Sequence, residues 1–290
     1  MTPVLVKEIR ELPAVRDSFF QLARQVFELS FEPWYRQGFW TQRYIPYCLV
    51  DPEKNWVLAN ASVNRIMTQW QGQRLQFIQI GTVMTRPEYR GLGYSRNLLE
   101  EILKDWGTSD CVYLYANDSV LDFYPKFGFH RAREFTFRTQ VTPIPGDFTR
   151  LDMDAPGARE LLRQCYERSN PYSELPMLDN WGLLMFYCAE FLKDCVYYSA
   201  RRRAVCIAQR QGDTLHCYDC FGQPDCTLLT LLGELAPDGI SCAQLGFTPR
   251  DASPFTCLPA DEEDTTLFVY GQAPSIFETH PVQMPVLSHA

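Results

Sequence analysis

No uninterrupted run of roughly 18 apolar residues exists in this chain, so no segment is long enough to cross a bilayer as a helix. The opening stretch, MTPVLVKEIREL, also lacks the apolar core of a secretion signal, because Lys7, Glu8, Arg10 and Glu11 interrupt it. A cytoplasmic location is therefore expected, with the 11 cysteines as reduced thiols rather than a disulfide frame. Positive charge is in short supply: 27 Lys+Arg stand against 35 Asp+Glu, a net charge of −8. Nucleic acid is a poor partner for such a surface, since phosphate binding draws on basic side chains.

What is present is a chain able to build a core. Hydrophobic residues make up 46% of it, which excludes general disorder. At roughly 150 residues per domain, 290 residues suggest two. The halves differ in composition. Residues 1–140 hold 17 Lys+Arg and 15 Asp+Glu, a net +2; residues 141–290 hold 10 and 20, a net −10. Cys48 and Cys111 lie in the first part and the other nine cysteines in the second. The segment VTPIPGDFTRL is the best linker, so the expected division is a domain at 1–140, a linker at 141–150 and a domain at 151–290.

Periodicity orders the first part as strand, helix, three strands, helix, strand, helix and a closing strand. PAVRDSFFQLARQVFEL has helical spacing at Val15, Phe19, Leu22, Ala23 and Val26. IPYCLV, WVLANASVNRIMTQW and LQFIQIGTVMT read as strands separated by the turns DPEKN and QGQ. SRNLLEEILKDW reads as a helix, CVYLYA as a strand, SVLDFYPKF as a short helix and HRAREFTFRTQV as the closing strand. The second part repeats this order in blurred form, from the helix PGARELLRQCYERS to the strand TLFVYG.

One segment carries chemistry. A strand ends before Pro87, and Arg90-Gly-Leu-Gly-Tyr-Ser95 turns tightly into a helix. Gly91 and Gly93 carry no Cβ, so a ligand can approach the backbone closely. The first N–H groups of a helix have no intrahelical partner, and the helix dipole there favours anions. Strand, glycine turn and helix N-terminus together make a pyrophosphate cradle. A dinucleotide-binding turn is excluded, because no third glycine completes G-x-G-x-x-G.

The run RPEYRGLGYSRNLL resembles the acyl-CoA-binding motif of the GNAT (GCN5-related) N-acyltransferase superfamily, Arg/Gln-x-x-Gly-x-Gly/Ala after a strand. Arg90 and Gly93 match it, and Ser95 stands where Gly or Ala is usual. Tyr115 to Phe129 resembles the second signature, with Asn117, Phe123, Tyr124, Lys126, Gly128 and Phe129 matching. The stretch from Trp40 through Tyr47 to Met84 is similar to a bacterial two-domain GNAT subgroup of unsettled substrate. The resemblance implies an α/β (α+β) fold: a mixed, mostly antiparallel central sheet flanked by helices, then a second, degenerate GNAT-like α+β domain.

It also implies a chemistry. Acyl-CoA would enter where the sheet splays, its pantetheine arm against the strand edge at Thr82, Val83, Met84 and Thr85. The amides of Arg90, Gly91, Leu92, Gly93, Tyr94 and Ser95 would hold the pyrophosphate, and Asn117 would reach the pantetheine amides. Tyr124 would be the acid that protonates the departing thiolate, since a phenol with a pKa of about 10 is protonated at neutral pH. The expected reaction is direct transfer of acetyl from acetyl-CoA to a primary amine of a small molecule or peptide in a ternary complex. No metal, nucleic acid or membrane takes part, and a homodimer is compatible with it. The competing expectation is a non-catalytic acyl-CoA sensor or partner protein, because Gln76, Gln79 and Thr82 are the polar residues on the strand where some members of the superfamily carry a glutamate as general base. Glu32, Asp51 and Glu88 are candidate bases by sequence proximity alone, and none is assigned.

Other clusters read as structure first. His216-Cys-Tyr-Asp-Cys220, with Cys226 nearby, has cysteines, but alternation along a strand sends Cys217 and Cys220 to opposite faces and favours buried thiols over zinc. Arg201-Arg-Arg203 reads as a solvated turn. The rings Phe31, Trp34, Tyr35, Phe39, Trp40 and Tyr44 are either a substrate wall or a packing cluster, with Phe186, Tyr187 and Phe191 as a facing wall. In some multi-domain GNAT relatives the chain terminus reaches the active site, which draws notice to the carboxylate after His289. The second part has no Arg-x-x-Gly-x-Gly/Ala turn, so it is expected to shape the acceptor pocket without binding acyl-CoA.

Overall fold

A computed structural model describes residues 2–260, 263–271 and 276–289. Strand β1 (Val4–Lys7) leads into helices α1 (Pro13–Phe27) and α2 (Glu32–Arg36). Strands β2 (Tyr44–Asp51), β3 (Trp56–Trp70) and β4 (Gln73–Thr85) follow as an antiparallel meander. Next come α3 (Tyr94–Trp106), β5 (Cys111–Ala116), β6 (Phe129–Arg131) and β7 (Phe135–Gln140). The later elements are β8 (Thr149–Arg150), α4 (Pro156–Arg168), α5 (Trp181–Phe186), β9 (Val196–Ser199), β10 (Ala204–Gln211), β11 (Thr214–Gly222), α6 (Leu228–Leu235), β12 (Cys242–Leu245), β13 (Thr256–Pro259), β14 (Thr266–Tyr270) and α7 (Ile276–Thr279). No described helix is long and apolar enough to cross a membrane.

The strands form two seven-stranded sheets of the same plan. One runs β1-β2-β3-β4-β5-β14-β6, the other β8-β9-β10-β11-β12-β7-β13. Each is antiparallel except for one central parallel pair, β4 with β5 and β11 with β12. A helix precedes the last strand of that pair in both cases, α3 before β5 and α6 before β12. The blurred repeat in the sequence is thus a repeat of topology.

The sixth position of each sheet is filled from the other part of the chain. β14 inserts between β5 and β6 in the first sheet, while β7 inserts between β12 and β13 in the second. The expected closing strand over 130–141 is therefore two strands in different sheets. A cut at 141–150 also divides neither sheet cleanly, because Thr266–Tyr270 belongs with β5. Burial gives the reason. Phe268 is fully buried in the core beside α3, and Phe137 fills the core of the second sheet.

A continuous core joins the two sheets. Phe31, Trp34, Trp40 and Tyr44 are buried and stack on one another, and Phe31 also stacks on Phe186 at 5.6 Å. Trp34 Nε1 donates to the Gly182 carbonyl at 2.6 Å, and a Cβ at Gly182 would lie 2.3 Å from the Phe39 oxygen. The aromatic stretch is packing between the halves, not a wall open to substrate.

Two further expectations change. A bulge skips Tyr218 in the β10–β11 ladder, so Cys217 and Cys220 share a face, with their sulfurs 3.5 Å apart. All 11 cysteines are free thiols, and Cys206, Cys217 and Cys220 are buried together. The Arg201–Arg203 turn is ion-paired: Arg202 bonds Glu234 at 2.5 and 3.0 Å and Asp225 at 2.8 Å, and Arg201 reaches Glu234 at 2.6 Å.

Those guanidiniums hold the Glu234 carboxyl at about 2, below the ordinary carboxylate value. Its contribution to stability is present above that ordinary value and disappears as pH falls through the folded one. The melting temperature of the wild type is expected to fall more steeply than that of Glu234→Gln between about pH 5 and about pH 2. Parallel curves would contradict the assignment.

Candidate active site

The site begins where a strand pairing ends. β4 and β5 pair in parallel from Phe77–Cys111 to Ile80–Leu114 and no further, although β4 continues to Thr85 and β5 to Ala116. Beyond Ile80 the β4 edge that faces β5 has no strand beside it. A bulge opens it further, because Thr82 and Val83 together oppose Ala61 between the pairs Ser62–Gly81 and Asn60–Met84. Thr82 has a φ of 46°, a left-handed conformation that β-branched residues rarely adopt.

Buried polar groups hold that conformation. Asn60, fully buried on β3, donates its Nδ2 to the Thr82 carbonyl at 2.9 Å and to Ser62 Oγ at 2.9 Å. The Tyr44 hydroxyl and Thr82 Oγ1 are 2.7 Å apart. Nothing in the sequence separates Asn60 from any other polar residue of a strand, so sequence reasoning missed it.

Below the opening lies a cleft of about 550 Å³. It is lined by Val83, Met84 and Thr85 of β4, by Arg90, Gly91, Gly93, Tyr94 and Ser95 of the turn, and by Asn117 and Tyr124. The structure thus brings together the expected site residues except Leu92, which is 58% exposed, and Thr82, which is turned into the β3–β4 bulge and does not line the cleft. Val26 and Phe27, at the end of α1, also line the cleft and were not anticipated as site residues.

The turn is shaped for close approach. Gly91 and Gly93 have φ of 76° and 79°, and a Cβ at either would point into open space. Gly93 is the N-cap of α3 and supplies no side chain to cap it. The first intrahelical bond runs from Asn97 N–H to the Gly93 carbonyl, so the N–H groups of Tyr94, Ser95 and Arg96 have no partner among the described residues. Arg90 Nε lies 3.4 Å from the Thr85 carbonyl, and the Arg96 guanidinium lies over the Phe127 ring. Open amides, two guanidiniums and an uncapped helix start fit an anion. Among the described residues, no group of three or more His, Cys, Asp or Glu side chains could hold a metal ion.

Tyr124 sits on a 3₁₀ turn, Tyr124–Phe127, not on the short helix expected, because Pro125 follows it and Gly128 ends the turn at φ 92°. Burial pushes the phenol up to about 12. Asn117 lines the cleft with its NH2 already engaged by Asp264 Oδ2 at 2.8 Å.

The candidate bases lie elsewhere. Glu32 pairs with Arg36 at 2.6 Å in a separate polar pocket, Asp51 caps the turn between β2 and β3, and Glu88 is exposed. None lines the cleft. His289 packs against Tyr115, ring centroids 4.2 Å apart, and burial pushes its imidazole down to about 4. The carboxylate beyond it, on Ala290, lies outside the described residues.

Asn60→Ala removes the donor to the Thr82 carbonyl. The expected cost is about 1–3 kcal/mol in urea unfolding. An unchanged midpoint would mean that the bulge is held by other groups.

Known proteins share this fold. Residues 10–132 match the family model described as an acetyltransferase (GNAT) domain. A probable N-acyltransferase from Enterococcus faecalis, a conserved protein of unknown function, aligns with a TM-score of 0.60 at 17% identity, over 93% of this chain and 72% of that one. Eis1 from Mycobacterium abscessus aligns with a TM-score of 0.57 at 18% identity, over 92% and 73%. A GCN5-related N-acetyltransferase from Kribbella flavida gives 0.54 at 17%, over 91% and 71%. At such identities the likeness is one of fold. No curated protein matches the chain by sequence. Residues 10–132 thus match a GNAT acetyltransferase domain, the superfamily that the Arg90–Ser95 and Phe123–Phe129 motifs resemble.

Proposed function

We propose that the protein is an N-acyltransferase that moves an acetyl group from acetyl-CoA to a primary amine. The observation that carries this reading is the meeting of three features in one cleft: uncapped amides at Gly93–Arg96, a strand edge left open by the end of the β4–β5 ladder, and Tyr124. The amides would take the pyrophosphate and the edge at Val83–Thr85 the pantetheine amides. A backbone N–H of β4 near Thr85 would polarise the thioester carbonyl.

In the transfer, the amine nitrogen bonds to the acetyl carbon and gives up a proton to water, the carbon–sulfur bond breaks, and the departing thiolate takes a proton from Tyr124, which regains one from solvent. Tyr124 suits the acid role because its phenol, raised to about 12, keeps its proton throughout the neutral range. Direct attack in a ternary complex fits a cleft with no cysteine in its lining.

The second sheet supports a division of labour. α6, the counterpart of α3, is capped by its own Thr227, whose Oγ1 accepts from Thr230 N–H at 3.2 Å. The amides left open in α3 are partly closed there, so we assign acyl-CoA to the first sheet alone and the shaping of the acceptor side to the second.

Tyr124→Phe is expected to lower kcat for release of free thiol in the presence of an amine panel by about 10²-fold. KM for acetyl-CoA should stay within about twofold, because the phenol acts in the transition state and not on the bound ground state. Tight binding of CoA by the wild type with no turnover on any amine would replace this reading with that of an acyl-CoA sensor.

A further inference from the structure

One wall of the cleft is tied down from the other half of the chain. Asp264, two residues before β14, accepts from Asn117 Nδ2 through Oδ2 at 2.8 Å and through its main-chain oxygen at 3.3 Å. Its Oδ1 accepts from the Asp118 N–H at 2.6 Å. Asp264 holds a φ of 55°, a left-handed conformation that aspartate adopts more readily than most residues.

The chemistry of this contact settles which way the amide faces. A carboxylate only accepts hydrogen bonds, so Asn117 must turn its NH2 toward Asp264. The amide oxygen is then the group that Asn117 has left to offer, and Asn117 lines the cleft. We propose that Asp264 is a positioning residue that fixes Asn117 with its Oδ1 available to the amide N–H donors of the acyl-CoA arm. This rests on the acyl-CoA reading above. It makes recognition of the arm depend on the residues just before β14, whereas the phosphate end is held by the turn after β4 alone.

Calorimetry on the full chain separates the two ends. The probes are coenzyme A, which has the arm, and adenosine 3′,5′-bisphosphate, which does not. Asp264→Ala is expected to weaken coenzyme A by roughly three- to tenfold, as for loss of one oriented hydrogen bond. Binding of the bisphosphate should stay within about twofold of wild type, as expected if the two ends are held independently. Asp264→Asn, which keeps the shape but can also donate, should fall between wild type and Asp264→Ala. Asn117→Ala should lose as much as Asp264→Ala, and the double variant no more than either, because the two residues act through one contact. Equal weakening of both probes in Asp264→Ala would mean general loosening and would overturn the proposal. Unchanged coenzyme A affinity, or additive losses in the double variant, would do the same. A wild type that binds neither probe would instead remove the acyl-CoA reading itself, and this inference with it.

Discussion

The constraint on which the site depends is the early end of one strand pairing. β4 and β5 part after Ile80 and Leu114, although both strands continue. Backbone N–H and C=O groups left without partners are costly wherever water is excluded, so an open edge inside a fold calls for another partner. Here the edge is kept open by a bulge with Thr82 in a left-handed conformation, and the bulge is held by Asn60 and Tyr44. The turn after Pro87 then sets the start of α3 below the same gap. An open strand edge and an open helix start thus lie beside one cleft, and the proposed binding of acyl-CoA rests on that pair.

The second sheet has the same strand plan without the same consequence. α6 begins with a threonine cap where α3 begins with glycine. Residues 282–288 run past the end of β12, where Val286 N–H donates to the Gly246 carbonyl and Gln283 bonds Thr248. What the second half contributes is architecture. Its strand β14 completes the first sheet, its Phe186 closes the aromatic block, and Asp264 steadies the rim of the cleft. Exchange of the sixth strands makes each sheet depend on the other half of the chain.

The local features were legible in the sequence and the distant ones were not. Alternation and turn residues placed the strand 56–70 correctly, and the turn at Arg90–Ser95 into a helix followed from glycine spacing next to a helical pattern. Pairing between residues about 150 positions apart leaves no such trace. TLFVYG reads as a strand wherever it goes, and nothing local says that Leu267 will lie beside Tyr115. Bulges were missed for a related reason. Alternation assumes an unbroken ladder, and one extra residue at Tyr218 was enough to bring Cys217 and Cys220 to the same face. Asn60 was invisible because its role depends on the Thr82 carbonyl of a neighbouring strand.

The most direct test of the account is the binding of coenzyme A to the wild type and to Gly93→Val, followed by titration calorimetry. A Cβ at Gly93 would stand in the open turn and force a branched residue into a left-handed conformation. The account predicts saturable one-site binding to the wild type and its loss in the variant. No heat with the wild type, or equal affinity in Gly93→Val, would contradict it.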